Sequence, residues 1–488
     1  MRTCIVVGSG IAGIASSIRL SKKGYKVTVY EANAYAGGKL SEFQQGNYRF
    51  DAGPSLFTMP MFVDELFELC GENPRDHFKY IKLNEGCRYF YEDGTRFNCP
   101  TNANQFADLM HEQLGEDKQA VLKFLNNSAK MYEITKPVFL ENSLHKLSTY
   151  LNRKGLKGIL NLWRLNMFST MFKANSKTFK NPKTIQFFNR FATYNGSNPY
   201  KAPATLNIIP HLEFGYGTYF PEKGMVDITN SLVSLAERQG VKFEYRKKVE
   251  EILIKENKAC GVRVDGVEKH SDLVISNMDI SPTYKYLLPN VETPKRVKQV
   301  ESSSSALIFY WGISRAFPEL DLHNIFFSAD YEQEFLKIFN EKSVGTDPTI
   351  YVNISSKYKK DDAPEACENW FVMVNVPANE GQDWDTIIEE TRKNTIAKLS
   401  RLLGVDFKSC IANESILDPR SIESKTSSFR GALYGSSSNH MMSAFFRHAN
   451  YSGSIEGLYF CGGSVHPGGG IPLCLLSAKI VSGLVKAK

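Results

Sequence analysis

The opening thirty-one residues restrict the fold more than any other stretch. The apolar run Cys4-Ile5-Val6-Val7 leads straight into Gly8-Ser9-Gly10-Ile11-Ala12-Gly13, and Glu31 follows eighteen residues after the last of these glycines. The spacing predicts a buried strand over 4–7, a helix over 11–23 and a second strand over 26–30. Gly8 permits the tight turn, Gly10 lets backbone approach a pyrophosphate, and Gly13 lets helix and sheet pack closely. An anion then rests on the unsatisfied N–H groups at the helix N-terminus, with Ile11 and Ala12 in its first turn. Glu31 is placed to accept hydrogen bonds from a ribose, and it would repel a 2′-phosphate, which excludes NADP.

A second glycine-rich stretch, Gly457-Leu458-Tyr459-Phe460-Cys461-Gly462-Gly463-Ser464, runs on through His466-Pro467-Gly468-Gly469-Gly470-Ile471-Pro472. It reads as strand, exposed loop and helix, with Pro472 at the helix start. The chain also returns to small residues at Gly37-Gly38-Lys39 and at Asp51-Ala52-Gly53-Pro54-Ser55. That is the pattern of an extended cofactor held from both ends of the chain, which points to FAD. A helix starting near Ile471 would aim its N–H groups at the flavin's pyrimidine edge, which becomes anionic when a hydride is accepted. No second GxGxxG occurs, so NAD(P)H is not expected to take part in turnover.

The chain's 488 residues suggest about three domains. The first strand follows Met1-Arg2 directly and no run of 18 apolar residues occurs, so neither a secretory signal nor a spanning helix is expected. Nine scattered cysteines without CxxC pairs point to a reducing cytoplasm. The histidines are equally dispersed, and no metal site is expected.

From Asn142 to Leu212 there are eleven Lys and Arg and no Asp or Glu, so the rest of the chain carries 48 basic and 52 acidic residues. Leu156, Leu160, Trp163, Met167 and Met171 recur there at helical spacing, with Arg153, Lys154, Lys157 and Arg164 between them. A helix lying on an anionic lipid surface is the preferred reading. A core-packed helix with a solvated basic face is the alternative, and Gly155 and Gly158 weaken any helix. A nucleic-acid patch lacks an accompanying module, so no nucleic-acid partner is expected.

Further strands are expected over 241–245, 249–254, 261–264, 273–277 and 305–311, and helices over 225–238 and 385–403. Without repeats or linkers, the domains are expected to interleave. The fold class is α/β. A Rossmann-like FAD-binding domain takes 1–65, 215–290 and 425–488. A mixed-sheet substrate domain takes 66–141 and 291–424, and a basic helical membrane-associating segment takes 142–214.

The glycine set, Glu31, Asp51-Ala52-Gly53-Pro54-Ser55 and His466-Pro467-Gly468-Gly469-Gly470-Ile471-Pro472 together resemble the bacterial phytoene-desaturase-type carotenoid desaturases. The resemblance covers nearly the whole chain. Arg190-Phe191-Ala192-Thr193-Tyr194-Asn195-Gly196-Ser197-Asn198-Pro199-Tyr200, Gly431-Ala432-Leu433-Tyr434-Gly435 and Ser305-Ala306-Leu307-Ile308-Phe309-Tyr310-Trp311-Gly312 look more like the 1-hydroxycarotenoid 3,4-desaturase branch. The resemblance implies FAD, an acyclic carotenoid drawn from the membrane, and electrons passed to a quinone or oxygen. It implies a cytoplasmic protein attached peripherally to the inner membrane. It also implies that Val249 offers its backbone to the adenine, and that Ile471 and its neighbours face the isoalloxazine.

The expected cofactor residues are thus Gly8, Gly10, Ile11, Ala12, Gly13, Glu31, Gly37, Gly38, Lys39, Gly53, Pro54, Val249, Gly463, Ser464, Gly470 and Ile471. Hydrocarbon desaturation offers no acidic C–H, so hydride abstraction by flavin N5 is expected to lead, without a catalytic triad. His466 is the candidate side chain beside the flavin, as orienting donor or proton acceptor, against a loop histidine bonded to backbone. Cys461 reads as a buried strand residue rather than a covalent flavin link, and Asp51 as fixing a turn. The competing functions are a phytoene desaturase producing lycopene, a flavin amine oxidase, and a non-catalytic isoprenoid-lipid-binding protein of the same fold.

Overall fold

The computed structural model describes residues 2–146, 149–150, 168–299, 301–440 and 443–486. Its centre is a five-stranded parallel sheet in the order Lys242–Glu244, Lys26–Tyr30, Thr3–Val7, Leu273–Ser276, Leu458–Phe460. The register sets Val7 beside both Tyr30 and Ser276, and Ser276 beside Phe460. Four strands therefore end at one level, and the loops that follow them open side by side. Segments more than 400 residues apart meet at that rim, at the carboxyl ends where parallel sheets bind ligands.

The sheet is buried on both faces. Helices Ile11–Lys22, Val226–Arg238 and Ile471–Leu484 cover one face through Ile14, Ile18, Leu232 and Leu475. The antiparallel sheet Val249–Lys255, Lys258–Val264, Val267–His270 covers the other through Ile252 and Val262. Most of these elements lie within about two residues of their sequence expectation; Lys258–Val264 begins three residues early, and Val267–His270 was not expected.

A seven-stranded mixed sheet forms the second layer, in the order Ile411–Leu417, Ser305–Ile313, Glu368–Val376, Ile350–Asn353, His323–Phe326, Glu85–Phe90, Arg96–Pro100. Its second strand, Ser305–Ile313, alternates with period two. Leu307, Phe309, Trp311 and Ile313 pack with Leu399 of helix Trp384–Leu403, while Ala306, Ile308 and Tyr310 face Tyr48 and Phe50. Tyr80–Lys82, assigned from sequence to the substrate domain, pairs with Thr218–Pro221 in a small sheet that also holds Phe57–Thr58. Asp51 fixes chain geometry at long range. Its carboxylate accepts the Met225 and Val226 N–H groups at the start of helix Val226–Arg238 and pairs with Arg49 at 2.7 Å.

The basic segment divides. Leu156, Leu160, Trp163, Met167 and the cations Arg153, Lys154, Lys157 and Arg164 lie outside the described residues. Met171, expected on the apolar face of a surface helix, instead sits fully buried in an aromatic core with Phe106, Phe187 and Phe188. Helices Met171–Thr178 and Pro182–Asn189 use their apolar faces on this core and leave Lys173, Lys177 and Lys180 exposed. Among the described residues no helix is long and apolar enough to cross a membrane.

Candidate functional site

Between the two large sheets lies a cavity of about 1550 Å³. Ordinary small-molecule sites measure roughly 300–1,000 Å³, so this one has room for a dinucleotide and a second large molecule together. It runs beneath six adjacent strands of the seven-stranded sheet, touching Leu417, Ile308, Met373, Tyr351, Ile325 and Cys87 in turn. Five strand spacings at about 4.8 Å make an apolar floor about 24 Å long.

Gly8, Gly10, Ile11, Ala12, Glu31, Gly37, Gly38, Lys39, Gly53, Pro54, Val249, Gly463, Ser464, Gly470 and Ile471 all line this cavity, as does His466. Gly13 does not, and its place explains why. A Cβ there would stand 2.3 Å from the Gly8 carbonyl oxygen and 2.9 Å from Asn277 Oδ1, so its hydrogen is what lets helix and strand close up. Gly10 has a second reason to lack a side chain, because its Cβ would lie 2.6 Å from Asn277 Oδ1.

The lining fits FAD. Helices Ile11–Lys22 and Ile471–Leu484 both begin at glycines that give no side-chain cap, and neither has an acid in its first turn. Two N-terminal sets of N–H groups are thus left for electron-rich parts of a ligand. Glu31 ends the second strand, buried, accepting from Ser9 N at 2.8 Å, Ser9 Oγ at 2.7 Å and Asn33 N at 2.8 Å. Fixed in this way, the carboxylate keeps acceptor capacity for a ribose hydroxyl. Lys39 lines the cavity with its ammonium on the Ala432 and Leu433 carbonyls, and burial pulls its pKa down.

Three residues that build this site escaped the sequence reading. Asn277, the residue after Leu273–Ser276, donates from Nδ2 to the Cys461 carbonyl at 3.1 Å and so ties the two glycine turns together. Asp279 is half-buried, capping Ser281 and accepting from Phe429 N, with its carboxyl pushed up by desolvation. Arg447 lines the cavity beside Gly463. Asn277 left a signal, as a polar residue following the buried parallel strand Leu273–Ser276; Arg447 left none.

His466 is almost wholly buried, and its Nε2 lies 2.9 Å from the Asn142 carbonyl. A carbonyl only accepts, so Nε2 carries the proton in the neutral ring. Burial pulls its pKa down to about 3, which keeps the ring neutral at physiological pH. Cys461 is buried at a strand end with its thiol pushed up to about 12, so it stays protonated. Deeper in the cavity, Arg190 faces Glu213 at 3.4 Å, and the Tyr351 hydroxyl lies 2.8 Å from both Ser55 Oγ and His323 Nδ1. No group of acids, histidines and cysteines among the described residues is arranged to hold a metal ion.

The family described as flavin containing amine oxidoreductase matches residues 11–486. The chain is 50% identical over 485 residues to the 1-hydroxycarotenoid 3,4-desaturase of Flavobacterium sp. (strain P99-3), covering 99% of each chain. It is 31% identical over 507 residues to the phytoene desaturase of Fusarium fujikuroi, covering 99% of this chain and 88% of that one. A putrescine oxidase with bound putrescine shares the fold at a TM-score of 0.61 and 14% identity, over 99% of this chain and 98% of that one.

Proposed function

The chain belongs to the flavin-containing amine oxidoreductase family, and from that premise we propose that it is an FAD-dependent desaturase of an acyclic carotenoid, forming the 3,4 double bond of a 1-hydroxylated substrate. Full-length identity of 50% to a desaturase of that class carries the reading. The long apolar cavity floor supports it, since a rigid polyene needs a channel rather than a compact pocket.

In this reading the turn from Gly8 to Gly13 holds the pyrophosphate and Glu31 the ribose. Val249 lies against the adenine, while Gly53, Pro54, Gly463, Ser464, Gly470 and Ile471 surround the ring system. Bound FAD supplies a hydride acceptor. The chain's part is to hold the reacting bond within about 3.5 Å of that acceptor, with Ile308, Phe371 and Met373 excluding water. Cationic character left on carbon spreads along the polyene, and the neighbouring carbon then releases its proton without a strong base. The electrons leave to a quinone or oxygen. The protein works on the cytoplasmic face of the inner membrane, drawing substrate from anionic lipid. Phe168, 89% exposed, adjoins the basic stretch, with Lys173 and Lys177 exposed nearby.

His466 serves as an anchor for its loop rather than as an acid or base. His466→Ala is expected to keep FAD and to lower turnover by less than about tenfold, because general acid–base groups contribute about 10²–10⁴-fold. A pH–rate profile that loses a limb in the variant would return the imidazole to the chemistry.

The test of function is incubation of FAD-loaded protein with a quinone and phosphatidylglycerol liposomes, carrying either phytoene or a 1-hydroxylated acyclic carotenoid. A bathochromic product from the hydroxylated substrate alone is the expected result. Conversion of phytoene would make this an earlier desaturase, and conversion of neither would end the desaturase reading.

A further inference from the structure

Among the described residues four cationic side chains are buried, and three of them have carboxylate partners; half-buried Lys39 rests on the Ala432 and Leu433 carbonyls, and Arg447 on the cavity wall is the fully buried exception. Arg19 meets Glu65, Arg190 meets Glu213, and Lys398 meets Asp347 and Glu92. Arg447 is 3% exposed and forms no ion pair with any described residue. The residues outside the described set include no Asp or Glu, so no acidic side chain of the chain neutralises it. Its guanidinium donates from Nη1 to the Gly463 carbonyl at 3.3 Å, and from Nη2 to Asn195 Oδ1 at 3.2 Å and the Ser436 carbonyl at 3.1 Å. Three of five N–H groups are spent on neutral acceptors. Enclosing a cation without a counter-charge is strongly unfavourable, which makes this a place built for a negative charge brought by a ligand.

Its neighbours tell which part of the ligand. The pyrophosphate has its own seat at the Gly8–Gly13 turn, on the first helix. Arg447 follows the short helix Ser443–Phe446, and its guanidinium packs instead against the loop before the last helix: a Cβ on Gly468 would come 3.1 Å from its Cζ, and Gly470 ends that loop at the helix N-terminus. Cation and helix end thus put positive potential on the same side of the cavity. A hydride brings two electrons and one proton, so the accepting ring gains one negative charge there. Burial pulls the Arg447 pKa down only to about 10, so the guanidinium stays charged at neutral pH and neither gives nor takes a proton.

We propose that Arg447 is the fixed counter-charge of the reduced flavin, setting how readily the bound FAD accepts electrons. The proposal rests on FAD and not on which hydrocarbon is oxidised, so failure of the desaturation assay leaves it standing.

The experiment titrates FAD-loaded wild type, Arg447→Met and Arg447→Lys with sodium sulfite, alongside oxidised-FAD binding. Sulfite donates its sulfur lone pair to flavin N5, forming an S–N bond and leaving the negative charge on the ring, so its affinity reads local positive potential without turnover. Arg447→Met is expected to bind oxidised FAD within about threefold of wild type and sulfite at least tenfold more weakly; tenfold corresponds to about 30 mV in a two-electron potential. Arg447→Lys, which keeps the charge but not the fork, should stay within about threefold of wild type in both. Weakened FAD binding with unchanged sulfite affinity in Arg447→Met would assign the cation to the pyrophosphate and overturn the proposal. Should Arg447→Met fail to retain FAD, Arg447→Lys decides alone: near-wild-type sulfite affinity supports the proposal, and a tenfold loss overturns it.

Discussion

Gly13→Ala is expected to abolish FAD retention and to cost on the order of 3 kcal/mol of stability, near the top of the range for overpacking a rigid site. The added methyl would meet the Gly8 carbonyl oxygen at 2.3 Å and Asn277 Oδ1 at 2.9 Å. Neither obstacle is the free end of a flexible chain. The carbonyl is backbone in the turn itself, and the amide is held by its bond to the Cys461 carbonyl. Relief requires the first helix to lift from the sheet, which drags Ile11 and Ala12 away from the cavity they line, where we propose the pyrophosphate rests. Urea unfolding and flavin absorbance after gel filtration measure both effects. Gly483→Ala is the control: it lies in helix Ile471–Leu484 with nothing within 4 Å of its would-be Cβ. Alanine there should be neutral or add up to about 1 kcal/mol. Equal losses in the two variants would refute the packing argument.

The second large effect is acid lability. His323, His448 and His466 are buried, and burial pulls their pKa values down to about 3, about 4 and about 3. A histidine whose folded pKa lies below its unfolded value of about 6.5 contributes fully above pH 6.5 and loses that contribution as pH falls toward the folded value. The unfolded chain binds the protons first. Each ring then loses about 2 kcal/mol between pH 7 and 5, about 6 kcal/mol for the three. Asp51 and Asp279, whose carboxyls are pushed up by burial, work in the opposite sense as they protonate in the folded state, and flatten the curve at its acid end. The urea midpoint should therefore fall steeply from pH 7 to 5, and His448→Gln should remove about a third of the slope. An unchanged midpoint at pH 5 would contradict the burial of these rings.

Local pattern carried a large share of this structure. Apolar runs at 4–7, 273–276 and 305–313 are strands because each is buried on both faces, and the alternation within 305–313 separates two cores that no single-residue property distinguishes. What the pattern withheld was pairing across distance. Nothing near residue 447 announces that its guanidinium ends beside Gly463, because fold geometry and not neighbouring sequence brings Asn195, Ser436 and Gly463 to it. Asn277 owes its importance to the glycines it separates, which are remote in the chain. The stretch without acids divides: Met171 belongs to an aromatic core, Lys173, Lys177 and Lys180 face solvent beside it, and the expected surface helix from Leu156 to Met167 lies outside the described residues.

The parallel sheet has a consequence for how the protein is made. Strand Leu458–Phe460 joins Leu273–Ser276 at one edge, and the helix that follows it lies across Ile11–Lys22. A growing chain therefore carries half a nucleotide cleft from its earliest moments and cannot close it until residues beyond 458 have left the ribosome. Helices Met61–Cys70 and Val226–Arg238 can cover part of that first helix earlier, but the side taken by Ile471–Leu484 must wait until the end of translation. Chains interrupted before that point are not weaker versions of the protein; they lack one wall of the cleft altogether, and quality control is offered a clean distinction between finished and unfinished molecules.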